Sequence, residues 1–174
     1  VCAWATSVRS VAARAKEKSR LDRVARLYAR AGELDPEGFA SGAWRAFEDA
    51  VARKDCLMIG APDHPMKAWL ALPEQWDEKK TWPVIVAVEG AGCGFQGACR
   101  NFRGEAQKLG YIVVTPIGLS NTNALEASKY PYPQAMLDEW NEKRFEFDSQ
   151  GLRAVLAVVH ARFKGEERFA MTGF

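Results

Sequence analysis

The segment Pro83-Val-Ile-Val-Ala-Val-Glu-Gly-Ala-Gly-Cys-Gly-Phe-Gln-Gly97 joins a nearly continuous apolar run to a loop rich in glycine. An apolar run without alternation is typical of a strand that is buried on both faces of a sheet. Glycines directly after such a strand allow a sharp turn that exposes free backbone amides at the carboxyl edge of the sheet. The segment therefore predicts a buried strand that leads into a functional loop.

Strands that alternate with helices are predicted on either side of this segment. The expected strands are Met66 to Leu72, Pro83 to Glu89, Tyr111 to Thr115 and a last one from Arg168. The expected helices are Phe102 to Leu109, ending at Gly110, and one capped by Asp148 or Ser149 and closed by Lys164-Gly165. This order indicates an α/β fold with a mostly parallel sheet covered on both faces.

The first 60 residues follow a different pattern. Ser7 to Ala31 has apolar residues at helical spacing, and Gly32 ends it. Asp35-Pro36 is a helix start, so a second helix is expected after it. We therefore predict a helical hairpin over residues 1–60, interpreted as a packing or linker element, and an α/β part over residues 61–174.

Composition limits the possible partners. The 174 residues are 48% hydrophobic and carry 24 basic and 22 acidic residues, a net charge of +2. This charge is too small to indicate a nucleic-acid or anionic-membrane partner. The chain also has no apolar run of about 20 residues that could span a bilayer.

Four cysteines are compatible with a reducing or an oxidising compartment. Their spacing is not that of a paired zinc site, so no metal is expected. Cys93 and Cys99 flank one loop and are candidates for a disulfide in an oxidising environment. Ala3-Trp4-Ala5 has the small-x-small form of a signal-peptide cleavage site, which favours a secreted or periplasmic location over a cytoplasmic one.

Two classes of protein use a glycine loop of this kind. In one, the amides of Ala91 and Gly92 stabilise the oxyanion that forms when a serine attacks an ester, and removing one such donor costs about 3–4 kcal/mol. In the other, Gly92-Cys-Gly-Phe-Gln-Gly97 is a GxGxxG loop that binds a dinucleotide pyrophosphate. A dinucleotide fold needs an acidic residue at the tip of the next strand, where this chain has Thr115-Pro116. A glycine-rich turn without a ligand is the third interpretation.

The far end of the chain favours the first class. Met171-Thr-Gly-Phe174 matches the first two positions of the G-x-S-x-G nucleophile elbow, on a strand that follows a helix. Glycine is needed there because a side chain would collide with the neighbouring strand and helix. We therefore expect a serine after Phe174 in a longer protein, and we expect the 174 residues by themselves to be inactive.

These segments together resemble the amino-terminal half of an α/β-hydrolase, over about Met66 to Phe174. They are most similar to the esterase branch that holds polyhydroxybutyrate depolymerases, feruloyl and acetylxylan esterases, and peptidase-like relatives. The resemblance implies Ala91 and Gly92 as oxyanion-loop amides and Gly173 and Phe174 as the start of the elbow. It also implies a small or polymeric ester as substrate and no cofactor. A serine peptidase, a non-catalytic binding relative and, more distantly, a dinucleotide-binding domain stay open as alternatives.

The order of the catalytic residues in this family is serine, acid, histidine, which places all three beyond Phe174. His64, expected in a turn, and His160 are therefore interpreted as surface or packing residues. The chain departs from the family at Glu89-Gly90, where such enzymes usually carry His-Gly.

Four further residues are candidates for substrate binding. Tyr130, Tyr132 and Trp140 lie in a long segment of little regular pattern, and such segments are often lids or binding loops. The same rings are equally compatible with packing of the segment onto its own domain. Glu89 is expected to orient the glycine loop, to bind a substrate hydroxyl, or to form an ion pair with Arg100 or Arg103.

Overall fold

A mixed sheet is the framework of the molecule. The computed structural model describes residues 56–77, 79–90, 92, 94–121 and 130–173. Within this part, five strands form one sheet in the order β1-β2-β4-β3-β5. They are β1 (Leu57–Ala61), β2 (His64–Ala71), β3 (Trp82–Val88), β4 (Ile112–Pro116) and β5 (Gly165–Gly173). β1 was not predicted from the sequence. A helical hairpin was expected over residues 1–60. Residues 1–55 lie outside the described part of the chain, so the hairpin and the domain boundary at residue 60 stay predictions.

The expected α/β architecture is confirmed. β3 lies between β4 and β5 and runs parallel to both. β2 pairs with β4 in the antiparallel direction, so the sheet is mixed at this side. β3 and β4 are buried as their apolar sequences predict, since Val84, Val86 and all five residues of β4 are buried.

The first helix within the described residues is α1 (Phe95–Leu109). It was expected to begin at Phe102, and this was wrong because the buried Phe95, Ala98 and Cys99 carry the apolar stripe back to the end of the glycine loop. Its predicted end is confirmed: Gly110 has a left-handed φ of 85° and donates its N–H to the carbonyl of Ala106.

The irregular segment after β4 contains more structure than its sequence indicated. A 3-10 turn covers Leu119–Asn121, α2 covers Gln134–Trp140 and a second 3-10 turn covers Asn141–Lys143. Residues 122–129 lie outside the described part of the chain. None of the helices in the described residues is long and apolar enough to cross a membrane.

The long helix α3 covers Arg144–Phe163. The prediction that Asp148 or Ser149 caps this helix was wrong, because the helix begins at Arg144 and includes both residues. Its end is confirmed, since Lys164 is left-handed with a φ of 60° and Gly165 begins β5. α3 packs against β2 and β5, whereas α1 packs against β2, β3 and β4.

Candidate active site at the carboxyl edge of the sheet

The carboxyl ends of the three parallel strands lie side by side. Val84 and Val86 of β3 pair with Ile112 and Val114 of β4, so these two strands end level. Val88, the last residue of β3, pairs with Gly173, the last residue of β5. The glycine loop, defined here as residues 89–94, therefore begins at the same edge at which β5 ends. Ligand sites of parallel α/β sheets form at this edge.

Gly173 lies unusually close to the neighbouring strand. A Cβ atom on Gly173 would lie 3.1 Å from the carbonyl oxygen of Val88 and 3.3 Å from its Cβ. A side chain at position 173 would therefore push β5 away from β3, which is the crowding that the elbow motif predicts for its first glycine. Phe174, the second predicted elbow residue, lies outside the described residues.

The side chain of Glu89 folds over its own loop. The N–H of Gly94 donates a hydrogen bond to Oε1 of Glu89 at 3.3 Å. A Cβ on Gly92 would lie 3.7 Å from the same oxygen, so the carboxylate faces the loop. Gly94 is the N-cap of α1 and has no side chain to cap the helix, and a carboxylate at a helix N-terminus is favourable. Ala91 and Cys93 lie outside the described residues, and the oxyanion role of Ala91 and Gly92 stays a prediction.

Tyr130 and Tyr132 are each only 4% exposed. Phe95 is the residue directly after the glycine loop, and its ring lies 5.8 Å from the Tyr130 ring. The Tyr130 ring also lies 6.3 Å from the Tyr132 ring. The Tyr132 hydroxyl donates to the carbonyl of Ile117 at 3.1 Å and accepts the N–H of Lys67 at 2.8 Å. Burial raises the pKa of Tyr132, so the hydroxyl keeps its proton. The burial of both rings supports the packing interpretation.

Trp140 is half-buried at the end of α2, with its ring 5.7 Å from the ring of Phe147. Phe147 is fully buried and also lies 5.6 Å from the Tyr132 ring and 4.6 Å from the imidazole of His64. Phe147 thus joins the aromatic residues of the irregular segment to β2. Substrate binding by Tyr130, Tyr132, Trp140 or Glu89 stays a prediction.

Asp148 is the residue at this edge that sequence reasoning missed. Its Oδ1 accepts the N–H of Leu119 at 2.6 Å, and its Oδ2 accepts the N–H of Ser120 at 2.8 Å and the Ser120 hydroxyl. All three donors belong to the turn that follows β4. A signal was present, because Asp148 falls in helical step with the buried Val155 and Val159. A carboxylate on an apolar stripe needs hydrogen-bond partners from another element.

His64 is the first residue of β2 and not part of a turn. Its Nδ1 accepts the N–H of Met66 at 3.0 Å, so this nitrogen carries no proton. Its Nε2 is buried, with no hydrogen-bond partner among the described residues. Burial lowers the pKa of His64, and the negative charge of Asp148 opposes this shift. His64 therefore acts as a neutral packing residue.

The neutral state of His64 makes stability depend on pH. The pKa is lower in the folded chain than its ordinary value of 6.5, so the unfolded chain takes up the proton first. We expect the free energy of unfolding to be fully retained above this value, to fall as the pH drops through about 6.5, and to level off below the folded pKa.

The measurement for His64 is urea unfolding of the chain between about pH 8 and about pH 5. His64→Gln should flatten this pH dependence. His160→Gln is the matched control, because His160 is exposed and its Nδ1 donates to the carbonyl of Gly165 on the last strand. An equal flattening by both substitutions would contradict the assignment to His64.

Cys99 is buried in α1, and Cys93 lies outside the described residues, so their pairing stays a prediction. Within the part of the chain that the structure describes, no group of three or more His, Cys, Asp or Glu side chains is arranged to hold a metal ion.

No protein-family model matches the chain, and no curated protein matches it. An acylaminoacyl peptidase in complex with Z-Gly-Gly-Phe-chloromethyl ketone is similar with a TM-score of 0.45 and 18% identity, covering 68% of this chain and 18% of that one. The Pyrococcus horikoshii acylaminoacyl peptidase has a TM-score of 0.41 and 18% identity, with the same coverage.

A structure described as a dienelactone hydrolase from Klebsiella pneumoniae is similar with a TM-score of 0.41 and 20% identity. The match covers 68% of this chain and 49% of that one. The chain thus spans less than half the length of each of these three structures.

Proposed function

We propose that this chain belongs to a longer serine hydrolase that cleaves carboxylic esters through an acyl-enzyme. In this proposal, the serine follows Phe174 and the triad acid and histidine come later. The observation that carries it is the position of Gly173, which pairs with Val88 at the strand end where the glycine loop begins. The tight approach of Gly173 to the Val88 carbonyl supports an elbow at this point.

The proposed chemistry uses backbone amides of two adjacent bends. The serine attacks the ester carbonyl, and the carbonyl oxygen gains a negative charge in the tetrahedral intermediate. The amides of Ala91 and Gly92, with the amide of the residue after the serine, would donate hydrogen bonds to this oxygen. Because backbone amides supply the donors, the presence of Glu89 in place of histidine does not remove them. The Glu89 contact to Gly94 would hold the loop in shape.

The position of Glu89 also argues against the dinucleotide alternative. A pyrophosphate in a GxGxxG loop binds the amides at the N-terminus of the following helix. Here the N–H of Gly94, at the N-terminus of α1, already donates to the Glu89 carboxylate, and a second anion at this place would be repelled. The next parallel strand, β4, ends in Thr115-Pro116 without an acidic residue.

The test is fluorophosphonate labelling of the longer protein, followed by mass spectrometry of the adduct. We expect Ser-x-Gly directly after Phe174, an adduct on that serine, and complete loss of labelling when the serine is replaced by alanine. p-Nitrophenyl esters and aminoacyl anilides assayed in parallel would separate an esterase from a peptidase. A different residue after Phe174 would favour a binding protein, and an adduct elsewhere would contradict the proposed site.

A further inference from the structure

The turn after β4 is held by an unusual concentration of contacts. We call residues 117–120 the β4 turn. We propose that Asp148 is a positioning residue which fixes the β4 turn as one wall of the substrate site beside the glycine loop. This inference rests on the proposed function, because it assigns a further part of the same site.

The first argument is the set of donors that converge on Asp148. Two consecutive backbone N–H groups, of Leu119 and Ser120, donate to different oxygens of its carboxylate, and the Ser120 hydroxyl adds a third hydrogen bond. Hydrogen bonds to an ionised acceptor are about twice as strong as neutral ones. The carboxylate therefore holds the turn more firmly than backbone contacts between loops would.

The second argument is the close fit between the carboxylate and Gly118. A Cβ on Gly118 would lie 2.9 Å from Oδ2 of Asp148 and 3.2 Å from both Cγ and Oδ1. The carboxylate thus packs directly on the Cα of Gly118, and the absence of a side chain at position 118 allows it to reach the two amides. Gly118 and Asp148 together form one fitted contact.

The third argument is a second set of contacts at the start of the turn. Ile117 donates its N–H to the carbonyl of Lys67 at 2.9 Å and accepts the Tyr132 hydroxyl at 3.1 Å. The same hydroxyl accepts the N–H of Lys67 at 2.8 Å. The β4 turn is therefore fixed at both ends, by β2 and Tyr132 on one side and by α3 on the other.

The fourth argument is the place of the turn. β3 and β4 end level, so the β4 turn leaves the sheet beside the glycine loop, and adjacent strands lie about 4.8 Å apart. Tyr130 extends the same connection to Phe95, the first residue after the glycine loop. A rigid wall beside the glycine loop would bind the acyl or alcohol group of the substrate.

The test compares Asp148→Asn with Glu146→Gln. Both substitutions remove one negative charge from the same turn of α3, but Glu146 is exposed and its carboxylate accepts a hydrogen bond from the Gln150 side chain on its own helix, not from the β4 turn. In Asp148→Asn, an NH2 group replaces one of the two acceptor oxygens. This group then faces an N–H donor of the β4 turn, so at least one of the hydrogen bonds to the turn is lost. Ser120→Ala is a milder variant that keeps both backbone contacts, and it decides the test if Asp148→Asn does not fold.

The first measurement is amide hydrogen exchange of the 174-residue chain, which needs no activity. We expect exchange at Leu119 and Ser120 to become roughly tenfold faster or more in Asp148→Asn, with a smaller increase in Ser120→Ala. The amides of Val113 and Val114 in β4 should be unchanged, and Glu146→Gln should change none of the four. Unchanged exchange at Leu119 and Ser120 would overturn the positioning role.

The second measurement is the hydrolysis of p-nitrophenyl esters by the longer protein. We expect Asp148→Asn to raise KM about tenfold while kcat changes less than about twofold, because a wall binds substrate and transition state equally. A loss of kcat with unchanged KM would contradict the proposal that the β4 turn forms a wall of the substrate site. A wild-type protein that fluorophosphonate does not label would instead overturn the proposed function, while the exchange result would still report on the turn.

Discussion

Replacement of Phe147 by alanine is expected to lower the free energy of unfolding by about 3–5 kcal/mol. Phe147 is 0% exposed and its ring contacts His64, Tyr132 and Trp140, so the substitution leaves a cavity between β2, α3 and the segment around Tyr132. These neighbours belong to separate elements, and the site has little freedom to collapse. The measurement is urea unfolding of the 174-residue chain, with a lower midpoint and an unchanged slope.

Phe145→Ala is the matched control for this prediction. Phe145 belongs to the first turn of the same helix, is 70% exposed and has the guanidinium of Arg144 5.6 Å from its ring centre. Its loss should change stability by less than about 1 kcal/mol, since exposed cation–π contacts contribute little. Similar losses for both variants would show that the ring contacts of Phe147 with His64, Tyr132 and Trp140 do not stabilise this end of α3.

Replacement of Gly151 by alanine is expected to destabilise the chain by about 1–3 kcal/mol. The new Cβ would lie 2.7 Å from both Cβ and Cε of Met66 and 2.8 Å from Cε1 of His64. The Cε of Met66 can move, but its Cβ is fixed to the backbone of β2, so α3 must shift from the sheet. The gain in helix propensity from glycine to alanine, at most about 1 kcal/mol, does not offset this shift.

Gly104→Ala tests the same exchange without the clash. Gly104 is exposed within α1, and a Cβ there would meet nothing within 4 Å. This variant should gain about 0.5–1 kcal/mol of stability from helix propensity. We expect the free energy of unfolding, measured by thermal or urea unfolding, to fall in Gly151→Ala and to rise in Gly104→Ala. A gain at both positions would mean that α3 tolerates a wider separation from β2.

The sheet could be predicted from the sequence because each of its central strands has a recognisable local sequence pattern. Pro83 to Glu89 and Tyr111 to Thr115 are short apolar runs bounded by glycine and proline, and both became buried parallel strands. Helix starts were predicted less well. Phe95 follows three glycines, at positions 90, 92 and 94, and this local signal of a loop concealed the start of α1, which is decided by burial of Phe95 and Cys99 against the sheet.

The sequence indicated only the backbone positions of the candidate site, and their catalytic role stays a prediction. Gly92 and Gly173 could be named because glycine at a strand end has a local meaning. Asp148 was missed despite its helical step with Val155 and Val159, because its partners lie in a turn distant in sequence and an aspartate near a helix start has an equally good local explanation as a cap. Tyr132 was noticed for its aromatic ring, but its contacts to Lys67 and Ile117 depend on how the segment after β4 packs against β2.

The strand order has a consequence for how the protein is made. β3 is the centre of the parallel part of the sheet, but its partner β5 is synthesised last of the five described strands. At roughly 5 to 20 residues per second, translation reaches Gly165 on the order of several seconds after Val88. During this interval the run Val84-Ile-Val-Ala-Val88 has an unpaired edge and the composition of an aggregation-prone segment. The yield of folded chain therefore depends on how well this edge is shielded until α3 and β5 have been synthesised.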